Sequence, residues 1–387
     1  RDGSYDCVYV AERPGTFTLE IEVKKKAIKD SPFHPEVKPG EPSPGQCTAE
    51  GPGLSEATAG ESAPFTVTTK DVAGNVIPRG GANIVAVFKD PSGDIPVEIV
   101  DNNDGTYSCS YTPTTSGSSN LSVVVNTEFN GSGDIQGSEF SVTVSPGAPS
   151  AANSTAEGPG LSEAVAGAEN PFTVQVKDQF DNNLTTGGTD VGAKLVNNET
   201  GEEVEVNTVD NGDGTYSNSY PAVAKAGTYT LTPTVGGEPI KDAPFTVTVK
   251  PAEADAGAFT WDGLELDADG NRVVVAGTTD SFSVTARDAN GNQQESGGLN
   301  ITGSITDGPA DVSVEVADNG DGSYTLSYSP TKAGAYQFTV KFDETAIGGH
   351  TNPFPMVCIP ADAYGPTSVA SGAGISSGDV GGANEFS

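Results

Sequence analysis

The chain is poor in the residues that build reactive centres. It has two histidines, one tryptophan, one methionine and four cysteines in 387 residues. His34 and His350 are far apart, each at a strand-closing hairpin, so neither a His/Cys zinc set nor a Ser-His-Asp triad can be assembled. The sequence offers no catalytic residue, no cofactor site and no metal site, and gives no basis for an enzyme. Basic residues are scarce too: Lys+Arg 19 stand against Asp+Glu 53, a formal net charge of -34. A polyanion of this kind repels phosphate backbones and acidic membrane surfaces, which argues against nucleic-acid binding. The one basic cluster, Lys24-Lys25-Lys26, reads as decoration of a hairpin turn. No apolar run approaches the roughly 20 residues of a spanning helix, so membrane insertion is not expected. Cys7 and Cys109 occupy the same place after a recurring tyrosine, while Cys47 and Cys358 have no such counterparts. No disulfide staple recurs, a pattern that fits a reducing compartment.

What the chain does contain is itself, several times over. Glu50-Gly51-Pro52-Gly53-Leu54-Ser55-Glu56-Ala57 returns letter for letter at Glu157-Gly158-Pro159-Gly160-Leu161-Ser162-Glu163-Ala164. Asp2-Gly3-Ser4-Tyr5 returns as Asp104-Gly105-Thr106-Tyr107, Asp213-Gly214-Thr215-Tyr216 and Asp321-Gly322-Ser323-Tyr324. A period of about 100 residues is long enough for each unit to bury its own core. The phase places whole units at 46–147, 148–251 and 252–361, the closing half of another at 1–40 and the opening of a further one at 362–387. The chain therefore reads as a piece of a longer array. Val37-Lys38-Pro39-Gly40, Val144-Ser145-Pro146-Gly147 and Val249-Lys250-Pro251-Ala252 end units with proline, which cannot donate to a ladder. The connectors are short, so a semi-flexible rod is expected.

Within a unit the apolar period is two. Phe65-Thr66-Val67-Thr68, Tyr107-Ser108-Cys109-Ser110-Tyr111 and Phe140-Ser141-Val142-Thr143-Val144 alternate apolar with polar. Such runs bury one face of a sheet. About seven of them per unit, separated by Gly- and Pro-rich turns, predict an all-β fold of tandem antiparallel β-sandwich domains. The Asp-Asn-Gly-Asp-Gly turns at 210–214 and 318–322 supply the positive-φ residues that tight hairpins need.

The order of these words resembles the immunoglobulin-like repeats of filamin, the actin-binding gelation factor. The matching residues in the first whole unit are Gly51-Pro52-Gly53-Leu54, Phe65-Thr66-Val67, Lys70-Asp71 with Gly74-Asn75, Asp101-Asn102-Asn103-Asp104-Gly105-Thr106-Tyr107 and Tyr111-Thr112-Pro113. Gly227-Thr228-Tyr229, Ser31-Pro32-Phe33 and Ala243-Pro244-Phe245 match elsewhere, so the likeness covers essentially the whole chain. Two departures stand out. The third whole unit reads Phe259-Thr260-Trp261-Asp262-Gly263-Leu264 in place of Gly-Pro-Gly-Leu, with an insertion from Glu265 to Arg272, which puts its first strand and turn in question. The first has Gly137-Ser138-Glu139-Phe140 in place of Ser-Pro-Phe. The resemblance implies a cytoplasmic, cytoskeletal rod segment of an actin cross-linking protein. Actin would be gripped by a calponin-homology pair of which nothing is present here, and the full-length protein would be a homodimer. It also implies partners that add an extended peptide beside strand C, in the groove between strands C and D, by β-augmentation.

Strand C follows the pairs Gly80-Gly81, Gly187-Gly188 and Gly297-Gly298. Counting from each, the outward residues are Val85 and Val87, then Gly192 and Lys194, then Thr302 and Ser304; strand D adds Glu98 and Val100, Asn207 and Val209, Glu315 and Ala317. The apolar set in the first whole unit makes Val85, Val87, Glu98 and Val100 the expected peptide-docking site, since an exposed apolar strip on an edge strand is a template for another strand. The competing expectation is that a neighbouring unit or first strand covers it. Glu265-x-Asp267-x-Asp269-Gly270 begins like a calcium loop, but Ala276 stands at the twelfth position where a glutamate is needed. The alternative class is an extracellular immunoglobulin-like adhesion array. Acidity and the acceptor triplets at Asn120, Asn130, Asn153, Asn183, Asn198 and Asn300 favour it; the cysteine pattern and the filamin words oppose it.

Overall fold

The computed structural model describes residues 3–128, 130–220, 223–362 and 369–371. Among them there is no α-helix, only strands, turns and four single-turn 3-10 segments. The expected opening of a further unit at 362–387 lies almost wholly outside the described residues.

In the first whole unit two sheets form. One holds strand A (Thr48–Glu50), strand B (Ala63–Thr68), strand D (Glu98–Asp101) and strand E (Thr106–Tyr111), in the order D-E-B-A. The other holds strand A′ (Glu56–Thr58), strand C (Asn83–Asp90), strand C′ (Gly93–Pro96), strand F (Gly117–Thr127) and strand G (Phe140–Ser145), in the order A′-G-F-C-C′, with a hairpin strand Gly131–Asp134 also on F. A′ runs parallel to G, and the other pairings are antiparallel. The second unit repeats both sheets in the same order. The third repeats D-E-B-A and A′-G-F-C, and no C′ strand joins its strand C among the described residues. This is the two-sheet antiparallel sandwich that the period-two pattern predicts, in the immunoglobulin-like form that the resemblance implies.

Each unit closes around its own interior. Phe65, Val67, Phe88, Tyr111, Leu121 and Val142 are buried together in the first. Phe172, Val174, Leu195, Tyr220, Leu231 and Val247 do the same in the second, and Phe282, Val284, Tyr328, Phe338, Phe354 and Met356 in the third. The residues between them along each strand face out, as alternation on a half-buried sheet requires. All four cysteines are free thiols, and Cys47, Cys109 and Cys358 are buried core members.

The recurring words turn out to be clamps. Gly-Pro-Gly-Leu is a 3-10 turn, Pro52–Leu54 and Pro159–Leu161, between A and A′. A Cβ on Gly53 would lie 2.8 Å from the Ala63 carbonyl oxygen, so only glycine lets the turn lie this close to strand B. The buried Tyr111 hydroxyl donates to the Gly53 carbonyl, and Tyr220 donates to that of Gly160 at 2.9 Å. The third unit, which lacks this turn, answers differently. Its Tyr328 hydroxyl donates to Asp280 Oδ2 at 2.6 Å, and Arg272 holds the same carboxylate through Nε and Nη2, both at 2.9 Å. An ion pair built on the insertion thus replaces a glycine turn. Strand A (Thr260–Asp262) and strand A′ (Arg272–Val275) still find B and G.

Candidate functional site

Strand C is aimed by a carboxylate. Asp101 closes strand D and reaches across to the glycine pair, where its Oδ2 accepts the Gly81 N–H at 2.7 Å and its Oδ1 accepts the Asn103 N–H at 2.8 Å. A Cβ on Gly80 would sit 2.3 Å from that carboxylate, and Gly81 has φ +94, so both glycines are required. One residue on, the Ala82 N–H donates to the Tyr107 hydroxyl at 2.8 Å. The same contacts join Asp210 to Gly188, Tyr216 to Thr189, Asp318 to Gly298 and Tyr324 to Leu299. Two words separated in sequence, Gly-Gly and Asp-x-x-Asp-Gly-x-Tyr, therefore form one corner that launches strand C at the sandwich edge.

Along that edge the first whole unit is half covered. F pairs with C across Asn83–Lys89. On the outer side C′ pairs only with Val87–Asp90, Val87 lying opposite Pro96. Asn83–Val85 have no strand on that side among the described residues. The Ala86 carbonyl accepts the Val97 N–H at 3.4 Å, so by ladder alternation Ile84 is the next residue whose backbone groups point outward.

Of the expected docking residues, Val85 is exposed (45%), as are Val100 (53%) and Glu98, while Val87 is half-buried beside C′. They flank the edge from two sides. Val85 and Val87 point out from the C sheet and Glu98 and Val100 from the D sheet, on opposite faces of the sandwich. The strip between the two strands is lined by the alternate residues Ile84, Val97 and Ile99, half-buried and packed on the core. Ile84 alternates with the outward residues Val85 and Val87, so a count of outward positions alone passes over it as a contact. Its signal is its place at the start of an edge strand, where inward residues are only partly covered.

The other units present different edges. In the second, C′ (Glu203–Glu205) pairs with Lys194–Val196 and places Glu203 against Lys194 at 2.8 Å. In the third, all of strand C, Ile301–Thr306, lacks an outer strand among the described residues, but its outward side chains Thr302 and Ser304 are polar.

Asp267 Oδ1 accepts the N–H groups of Asp269 and Asn271, so the calcium-like stretch spends that oxygen on its own turn. Its carboxyl is held below the ordinary range by those bonds. Trp261 donates to the Gly348 carbonyl at 2.6 Å and packs against Phe282 and Phe354, with His350 at its edge. Among the described residues no group of three His, Cys, Asp or Glu could hold a metal ion. No helix among them is long and apolar enough to cross a membrane.

Comparison with known proteins fits this architecture. Filamin-C of Mus musculus is 31% identical over 381 residues, 98% of this chain but 13% of its own length. Filamin-A of Drosophila melanogaster is 27% identical over 365 residues, 14% of its length. The chain thus spans about an eighth of the filamins it matches. Among solved structures, that of FdeC, an Escherichia coli adhesin, superposes with a TM-score of 0.51 at 20% identity, covering 84% of this chain and 99% of that one. That likeness is one of fold. The Filamin/ABP280 repeat pattern matches three times, at residues 41–141, 148–246 and 253–354. Three sandwiches that share one strand C corner, and that align with filamins along nearly their whole run, place this chain in the filamin-repeat family.

Proposed function

We propose that the chain is a non-enzymatic stretch of the rod of a filamin-type actin cross-linking protein of the cytoplasmic cytoskeleton. In this reading the units at 46–147, 148–251 and 252–361 act as spacers, and actin is bound by a domain outside this sequence, in a protein that pairs as a homodimer. The reading rests on membership of the repeat family and on separate cores strung by short connectors.

The docking position is the C–D edge of the first whole unit. The observation that carries this is an uncovered start of strand C flanked by two exposed valines, Val85 and Val100, over half-buried Ile84, Val97 and Ile99. An added strand would pair with Ile84, put alternate side chains on that apolar strip, and run along Val85 and Val100 with Glu98 at its rim. Val87 would be reached only as far as C′ allows. The polar edges of the other two units would bind less. Peptides selected on the intact chain should be apolar at alternate positions and should slow hydrogen exchange at Ile84. Val85→Glu with Val100→Glu, both at exposed positions, should weaken them by at least about tenfold, or 1.4 kcal/mol. Selected peptides whose affinity ignores both changes would remove this site. Co-sedimentation of the whole protein with actin filaments tests the wider reading; failure to co-sediment would reject it.

A further inference from the structure

The word Asp-x-x-x-Asn after strand B, which the peptide edge does not use, sits at the junctions between units. Asp71, Asp178 and Asp288 are buried. Each accepts an N–H from the connector before it: Gly40 at 3.2 Å, Gly147 at 2.8 Å and Ala252 at 2.9 Å. Each also accepts from the asparagine four residues on. Asn182 Nδ2 meets Asp178 Oδ2 at 2.8 Å and Asn292 Nδ2 meets Asp288 Oδ2 at 2.9 Å. A carboxylate can only accept, so it fixes which end of the amide is the nitrogen.

The amide so oriented reaches back to the E–F loop of the preceding unit. Asn182 Nδ2 donates to the Thr114 carbonyl at 2.8 Å while its Oδ1 accepts the Ser116 N–H at 2.9 Å. Asn292 repeats this with the Ala224 carbonyl at 2.7 Å and the Ala226 N–H at 2.9 Å. The side-chain amide thus docks as a peptide group would, at two points. The surface it meets is built by the preceding unit itself, because Gly60 N–H donates to the Pro113 carbonyl and Gly167 N–H to that of Val223. A Cβ on Gly60 would lie 2.7 Å from the Phe180 ring, and one on Gly167 2.9 Å from Asn290 Nδ2, so both glycines mark close approach between units.

The junction near residue 40 differs. Asn75 Nδ2 donates to the Glu12 carbonyl at 2.9 Å. The residue matching Ser116 and Ala226, one before the loop glycine, is Pro14, which has no N–H to give. We propose that Asp-x-x-x-Asn is a unit-to-unit docking element whose partner is the E–F loop of the unit before it, and that the residue preceding that loop's glycine grades the joint. An N–H there gives a two-point grip. Proline gives a one-point grip, and makes the joint at Gly40 the hinge of the segment. This holds whether or not any peptide is bound.

The test uses the intact chain and residual dipolar couplings, which report whether neighbouring units share one alignment frame. The wild type should show a shared frame across the Gly147 and Ala252 joints. Ser116→Pro copies the natural Pro14 loop without touching the asparagine, and should abolish the shared frame at Gly147 alone. Asn182→Ala should do the same, Asn292→Ala should act only at Ala252, and Pro14→Ser should tighten the Gly40 joint. Unchanged co-alignment in Ser116→Pro would overturn the proposal. So would a second unit that loses its own fold in Asn182→Ala while Ser116→Pro stays aligned, since the asparagine would then serve its own loop.

Discussion

Gly80→Ala should loosen the first whole unit and leave the third alone. The added methyl would lie 2.3 and 2.4 Å from the two Asp101 oxygens, and the carboxylate must leave. Its departure releases the Gly81 and Asn103 N–H groups, held at 2.7 and 2.8 Å. A hydrogen bond to a charged group contributes roughly 1.5–3 kcal/mol, and partial exposure of Asp101 brings the pair together to about 2 kcal/mol. Such a loss raises the population of the opened unit about 30-fold. The cysteines make this readable unit by unit. Cys47 and Cys109 are buried in the first whole unit, Cys358 in the third, and the second has none. Burial pushes the Cys109 thiol up to about 11, so it reacts only when its unit opens. With reclosing faster than the chemistry, labelling tracks the open population. Cys47 and Cys109 should then label about 30-fold faster in Gly80→Ala, with Cys358 unchanged. In an Asp101→Ala background the clash has no object, and Gly80→Ala should add less than about threefold. Full additivity of the two changes would refute the clamp. Equal acceleration of Cys358 would refute independent units.

Two further outcomes follow from single side chains. Ser119 Oγ is buried with no hydrogen-bond partner among the described residues, whereas the matching Tyr229 and Tyr336 donate to the Lys225 and Lys332 carbonyls at 2.8 and 2.9 Å. Ser119→Ala should therefore stabilise the first whole unit by about 1 kcal/mol and slow Cys109 labelling roughly fivefold, and faster labelling would contradict it. For acid stability the informative group is Asp90. Burial alone would push its carboxyl up, but the hydroxyl and backbone donors of Ser92 and Thr115 outweigh burial and hold it below the ordinary range. A carboxyl depressed on folding contributes fully above its unfolded value near 3.9, and that contribution is lost as pH falls through the folded value. Calorimetry should show the first whole unit's melting temperature dropping below about pH 4 and the drop flattening in Asp90→Asn; an unchanged slope would acquit this residue.

What could be read in the sequence depended on range. Alternation along Phe65–Thr68 and Tyr107–Tyr111 is local, and it gave the strands and the buried face. The Gly-Gly and Asp-x-x-Asp-Gly-x-Tyr words were visible separately, but that Asp101 reaches Gly81 is a contact across 20 residues that only the closed sandwich makes. Strand C′ escaped because Gly93-Asp94-Ile95-Pro96 has no apolar alternation and ends in a proline, which demotes a strand. In the third unit the missing Gly-Pro-Gly-Leu was a visible gap, yet its substitute is one ion pair with no repeating pattern to betray it. Likewise Asn75 was legible as part of a word and not as a hand reaching into the unit before.

The recurring residues are therefore poor guides to what distinguishes one unit from the next. Tyr107, Asp101, Gly53 and Asp178 recur because each satisfies or shields backbone groups that any such sandwich must satisfy. Specific behaviour has to lie where units of one pattern diverge. Val85 gives way to Gly192 and Thr302 on the edge, C′ is present on two edges and absent from the third among the described residues, and Pro14 stands where Ser116 and Ala226 offer an N–H. Under the proposed docking edge and joint, two of these differences would change what an incoming strand could pair with, and the third would change how firmly neighbours are held. An array can in this way vary docking and stiffness unit by unit while leaving every core intact, because neither the outer face of an edge strand nor the residue before a loop glycine takes part in packing. Exchanging Val85 and Pro14 with their counterparts should accordingly alter binding and alignment without moving the labelling rates of Cys47, Cys109 or Cys358.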